Sequence, residues 1–123
     1  TVSVINSPNP QYPCSTSETG HGRCADNNGA YSGTYGAGKS LKKVGIGYGA
    51  GVGDDLVGFS ALLAGYRRTN GSFLNIGSYA HFWSSLASGS SSAGRRNLST
   101  GSSTVYRYYG NRAYGFSVRC LRD

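Results

Sequence analysis

The chain has 123 residues, which suits one domain around one core. Twenty glycines, only 37% hydrophobic residues and no methionine argue against a helical bundle and for short strands joined by loops. Lys and Arg outnumber Asp and Glu by 12 to 5, and the resulting net charge of +7 favours an anionic partner without bearing on the fold.

Val2, Val4 and Ile5 read as a short opening strand, not as a signal peptide, so the start reads as a cut from a longer protein. Residues 6–40 read as a long irregular loop with room for one short helix. Cys14 and Cys24 lie ten apart in it and could close a short disulfide. A bond from either to Cys120 stays open; Cys120 itself reads as a buried thiol on a strand. Residues 45–53, GIGYGAGVG, are too glycine-rich for a helix interior. Residues 56–66, LVGFSALLAGY, are the most apolar stretch and read as core. Asn70-Gly71 predicts a tight turn, and Phe82-Trp83 a buried strand. Residues 87–94, ASGSSSAG, read as a flexible loop.

Two further strands are predicted over residues 95–99 and 104–109, with a reversal at Tyr109-Gly110-Asn111. A closing strand then runs from Ala113 to Leu121. In that strand the period of two puts Phe116, Val118 and Cys120 on one face, with Ser117, Arg119 and Arg122 nearer the surface. Strict alternation would bury Tyr114, whereas a bulge at Gly115 would turn it outward; the pattern leaves both open. Val105 and Arg107 fall on one side of the preceding strand, Tyr106 and Tyr108 on the other. No stretch approaches the roughly 18 apolar residues of a membrane span, so no membrane insertion is expected.

Catalytic signals are thin. Gly33-Thr-Tyr-Gly-Ala-Gly38-Lys39-Ser40 fits the spacing of a phosphate-cradling loop. It lacks the preceding apolar strand, the following helix and a strand-ending aspartate for magnesium, so it reads as a glycine-rich loop with an exposed lysine. Glu18 is the one glutamate, and His21 and His81 are far apart in sequence. No zinc spacing occurs, and Asp54-Asp55 reads as a turn more readily than as a calcium site. Neither metal nor cofactor is expected. Asn70-Gly-Ser72 and Asn97-Leu-Ser99 fit the glycosylation sequon, which matters only in a eukaryotic secretory setting.

The aromatic cluster in TVYRYYGNRAYGF, residues 104–116, is the informative feature. Strands favour aromatics, and some of these rings are expected in the core. The set as a whole cannot point one way, because Arg107 and Arg112 separate its tyrosines. Tyr, Ser, Gly, Asn and Arg together make the chemistry of antibody paratopes: rigid contact area from tyrosine and adaptable hydrogen bonds from the small polar residues. Tyr79 and His81 flank Phe82-Trp83 and are expected on the same surface. Basic charge among aromatics is also a nucleic-acid signature, but Lys39, Lys42 and Lys43 are distant in sequence from the tyrosines, and no RNA-binding signature occurs.

Two segments, DDLVGFSALLAGYRRTNGSFLNIGSYAHFWSS (54–85) and RRNLSTGSSTVYRYYGNRAYGFSVRCLRD (95–123), resemble the bacterial major paralogous domain first named from Fibrobacter. More narrowly, they resemble the variable proteins of diversity-generating retroelements in their C-type-lectin-like version, from gut bacteria and their phages. The resemblance implies a single α+β domain of C-type-lectin-like fold over residues 1–123. Short antiparallel strands, one or two helices, long ordered loops and paired first and last strands are expected. It implies a ligand-binding, receptor-recognition domain and no enzyme, on a phage tail fibre or as an adhesin on the bacterial cell surface. The partner would be an unknown protein or glycan on a cell surface, with a trimer expected if the protein is phage-borne. In that family adenine-targeted copying varies residues near the C-terminus. The variable, ligand-binding role carries over to Tyr79, His81, Leu86, Arg95, Tyr106, Tyr108, Tyr109, Asn111 and Tyr114. The scaffold role carries over to Phe59, Phe82, Trp83, Phe116, Val118 and Cys120. The alternatives are a nucleic-acid-binding basic and aromatic domain, or a relative of formylglycine-generating enzymes. The latter work through reactive cysteines in a cleft, whereas here the cysteines fall in a loop and on a terminal strand.

Overall fold

The computed structural model describes residues 37–122. The predicted opening strand, the Cys14 and Cys24 pair, Glu18, His21 and the expected pairing of first and last strands lie outside them. Among the described residues, one helix, α1 (Ala37–Leu41), and a 3-10 turn at Gly49–Gly51 precede five strands: β1 (Ala64–Arg67), β2 (Phe73–Ile76), β3 (Tyr79–Ser88), β4 (Ser92–Ser99) and β5 (Tyr106–Asn111). They form one sheet in the order β2-β1-β3-β4-β5. All neighbours are antiparallel except β1 and β3, which run parallel at Gly65 and Ala80. This corrects the expected α+β arrangement with one or two helices and antiparallel strands. The described residues make a mixed sheet, and their α-helix is five residues long.

The helix is short for local reasons. Gly38 and Lys39 N–H groups both donate to the Ser103 carbonyl, at 2.8 and 3.3 Å, which satisfies its N-terminal donors. Beyond Lys42 the glycine run cannot propagate it and folds on itself instead, Gly45 N–H donating to Gly53 O and Gly53 N–H to Ile46 O. Among the described residues no helix is long and apolar enough to cross a membrane.

The apolar stretch 56–66 is core only in part. Ala61 and Leu63 are buried whereas Leu56 and Leu62 are exposed, because the segment is extended and alternates. Ala61, Leu63, Ala80, Leu98 and Val105 form the core, with Leu41, Ile46, Val57, Phe59 and Phe82 packed against it. Lys42 enters this side fully buried, and its Nζ donates to Ser99 O at 2.6 Å and Ser102 O at 2.8 Å. The lysine thereby pins the end of α1 to the β4–β5 connection, and burial lowers its pKa to about 8.

Asn70-Gly71 makes the predicted turn. Arg68 N–H donates to Ser72 O at 2.8 Å, Gly71 sits at φ 89°, and Asn70 Oδ1 accepts from Ser72 N and Oγ. Asp54-Asp55 also lies in a turn region: Gly58 N–H donates to Asp55 O, and the Asp55 carboxylate accepts from Ser60 N and Oγ.

Three local expectations need correction. Residues 87–94 are not a loop, because Ala87 pairs with Ala93 and Ser88 with Ser92, leaving a tight turn between. Serine and alanine fit an exposed hairpin end, so their low hydrophobicity hid a strand. The reversal falls after β5, not inside it: Ala113 N–H donates to Asn111 Oδ1 at 2.9 Å and Tyr114 N–H to Asn111 O at 3.0 Å, so Asn111 opens the turn.

Finally, 113–121 is not a strand. It makes isolated bridges only, Gly115 with Arg67 and Ser117 with Phe82. Phe116 is buried, but Val118 is 71% exposed and Cys120 is an exposed free thiol, against the expected shared buried face. The segment wedges between β1 and β3 where they diverge. Arg67 and Gly115 exchange both main-chain hydrogen bonds, while Ser117 N–H donates to His81 O and Ser117 O accepts from Trp83 N–H.

A candidate ligand-binding face

Strand register assigns eight of the nine candidate site residues to faces, all but Tyr114. On β3 the side chains of Tyr79, His81 and Trp83 share one face, opposite to Ala80 and Phe82 on the core side. Their partners across β4 are Ser99, Asn97 and Arg95, and beyond these Asn97 pairs with Tyr106 and Arg95 with Tyr108. Tyr79, His81, Arg95, Tyr106 and Tyr108 therefore lie together on the face turned away from the core. Leu86, Tyr109 and Asn111 do not join them. Ala87 pairs with Ala93 on the face of Arg95, so its neighbour Leu86 falls on the other face, with Gly94 and its partner Tyr109. Leu86, Tyr109 and Asn111 are all exposed there.

The face is a stacked aromatic layer with a floor and an open rim. Tyr106 and Tyr108 rings stack at 6.1 Å and 10°, as side chains two apart on one strand can. Tyr79 and Tyr108 are 41% and 49% exposed, and Tyr106 is half-buried. The floor comes from the wedge: Phe116 lies 4.4 Å from Trp83, 5.2 Å from His81 and 5.7 Å from Tyr114. Tyr114, for which alternation left two outcomes open, is half-buried and stacked on Phe116 at 9°. Gly110 makes room for this floor, since a Cβ there would stand 2.8 Å from Phe116 Cε2 and 3.3 Å from Arg95 Cδ.

His81 is not on the open surface. It is 5% exposed, and its Nδ1 sits 3.0 Å from Asn97 Oδ1 and 3.3 Å from Arg95 Nη1. Burial first, and then the Arg95 charge, hold its pKa below the usual histidine value, with the Asn97 contact opposing them. The neutral ring is thus the stable form. Its Nε2 and the Nε of Arg95 are buried without a hydrogen-bond partner. The Arg95 guanidinium lies between two rings, 5.5 Å from Tyr108 and 5.2 Å from Phe116.

Sequence reasoning missed Tyr66. Its ring reaches His81 at 4.8 Å and both Tyr114 and Phe116 at 5.9 Å. Only the parallel β1–β3 pairing brings it there, and nothing in the local pattern of AGYR signals that. Asn97, the partner of His81, was read only as a sequon; at 8% exposed and inside β4, it is a core-like polar residue. Arg112 is engaged elsewhere, donating from Nε to Ser92 O and from Nη2 to Gly89 O across the β3–β4 turn.

The face carries no arrangement suited to metal or phosphate chemistry. Among the described residues no group of three His, Cys, Asp or Glu side chains comes together. Ser40 of the phosphate-loop match is fully buried, and Lys39 lies 4.0 Å from Asp54.

The described residues thus make a β-rich unit, a mixed sheet with its core on one face and stacked, partly open aromatics on the other. The family model described as the Fibrobacter succinogenes major domain matches residues 16–122, and the chain belongs to that family. No curated protein and no solved structure matches the chain.

Proposed function

We propose that the domain binds a ligand and does not catalyse, and that the tyrosine face of β3, β4 and β5 is its recognition surface. The observation that carries this reading is the layering. Tyr79, Tyr106 and Tyr108 stand on one sheet face over a floor of buried Phe116 and His81. Rigid rings over a packed floor give contact area with little entropy to lose, and their hydroxyls fix orientation. The split of core and rings onto opposite faces lets the rings change without disturbing the core. That property suits a receptor-recognition domain diversified by a retroelement, on a phage tail fibre or as an adhesin on a bacterial cell surface. The partner is then a cell-surface molecule.

Two experiments test the two halves of the reading. Binding to immobilised bacterial surface extract should fall at least tenfold in a Tyr106→Ser, Tyr108→Ser double variant that keeps wild-type stability. Unchanged binding would remove the face from the site. For the retroelement, the DNA downstream should hold a near-copy of codons 78 to 123 that differs at adenines, beside a reverse-transcriptase gene. A neighbourhood without either would end that part.

A further inference from the structure

Arg95, on the same face as Tyr106 and Tyr108, has a buried side-chain N–H that no described residue accepts. Arg95 has its guanidinium against the Tyr108 and Phe116 rings, 5.5 and 5.2 Å from their centres. One end faces His81: Nη1 lies 3.3 Å from the Nδ1 that also stands 3.0 Å from Asn97 Oδ1, on a histidine that is 5% exposed. The side chain is therefore held by packing, not free to follow solvent. A half-buried cation of this kind ordinarily has a carboxylate partner. The two carboxylates among the described residues are placed elsewhere, Asp54 beside Lys39 and Asp55 on Ser60. Arg95 Nε and His81 Nε2 are left as buried polar atoms without partners at the same spot. Such atoms are costly, and a bound group that satisfied one of them would recover that cost.

We propose that Arg95 is the receptor for a carboxylate on an acidic loop of a protein partner, with Tyr108 and Phe116 holding the guanidinium and His81 fixing its orientation. The planar fork of arginine matches a carboxylate with two parallel hydrogen bonds. A protein source is favoured because tyrosine and arginine side by side are the residues that dominate protein–protein contacts. Charge agrees, since the chain holds twelve Lys and Arg against five Asp and Glu. This inference rests on the recognition-face reading and names the chemistry of its ligand.

The test titrates the domain with an N-acetylated, C-amidated Gly-Glu-Glu-Gly peptide, its Gly-Gln-Gln-Gly counterpart and free glucuronate. The side-chain N–H resonances of the arginines and the Trp83 indole are followed by NMR. The glutamate peptide should move the Arg95 Nε–H resonance saturably, and the glutamine peptide should need at least a tenfold higher concentration. Arg95→Met, which keeps the stem in place, should abolish the difference between the peptides. Arg95→Lys, which keeps the charge and loses the fork, should weaken the glutamate response severalfold and serves if the methionine variant fails to fold. Equal response to both peptides, a response that survives in Arg95→Met, or a response to glucuronate alone would overturn the proposal. If the peptides fail while the Tyr106 and Tyr108 variant still loses surface-extract binding, only this inference falls. If that variant binds normally, the recognition-face reading falls with it.

Discussion

Removing the Phe116 ring should disable the proposed recognition face and destabilise the domain together. Phe116 is 9% exposed and touches the rings of Tyr66, His81, Trp83 and Tyr114 and the Arg95 guanidinium. Truncation of a buried phenylalanine to alanine costs about 3–5 kcal/mol. Phe116 lies at the edge of the molecule, away from the main core, so water can refill part of the space and the lower end, about 3 kcal/mol, is expected. The four ring contacts and the cation–π contact, at about 0.5–1.5 kcal/mol each, are of a size to make up that sum. Urea unfolding followed by tryptophan emission measures it directly, because Trp83 is the single tryptophan and its ring centre is 4.4 Å from Phe116. Phe116→Ala should lower the unfolding midpoint with an unchanged slope and shift native emission to the red. Phe116→Leu, which keeps most of the volume, should cost roughly half as much. A loss under about 1 kcal/mol with unaltered Trp83 emission would show that the wedge is not the floor of the face.

Gly110→Ala would drive a methyl group against Phe116 and Arg95, and calorimetry should show a loss of about 1–3 kcal/mol, the usual cost of overpacking. That loss should shrink when Phe116→Leu is already present. Lys42 has its folded pKa lowered to about 8 by burial, so the unfolded chain binds the proton more tightly. Stability should therefore be lost as pH falls from above about 10.4 to 8, with no further change below. The difference between wild type and Lys42→Met, measured by urea unfolding across that window, isolates the term; a flat difference refutes it. His81, also held low, should give the same sign nearer neutrality: stability present above about pH 6.5 and lost as pH falls further. His81→Gln should flatten that acid limb in thermal melts.

Local alternation made several parts of the fold legible. Tyr106 and Tyr108 share one side as the period of two requires, and the same period, which a reading of 56–66 as wholly core passes over, separates buried Ala61 and Leu63 from exposed Leu62. Asn70-Gly71 announced its turn by chemistry. The misreadings share a cause, which is that the deciding contact lies far along the chain. Residues 113–121 alternate well enough for a strand, yet two divergent strands accept main-chain bonds only around Gly115 and Ser117, and Val118 and Cys120 extend beyond them. Tyr66 enters the face only through a parallel crossover. His81 looked like its exposed neighbour Tyr79, because what buries it is Phe116, 35 positions later. The separation of Leu86 and Tyr109 from the other candidates, by contrast, follows from the period of two alone, since Leu86 neighbours Ala87 and Tyr109 neighbours Tyr108.

The seam between the C-terminal segment and the sheet is sewn by peptide groups: Arg67 with Gly115, and Ser117 with His81 and Trp83. Amide and carbonyl groups are common to every residue type except for proline's missing N–H, so these stitches survive when the lettering around them is rewritten. Changes at Tyr79, Tyr106 or Tyr108 would thus rewrite the ring face without unpicking the cloth beneath it.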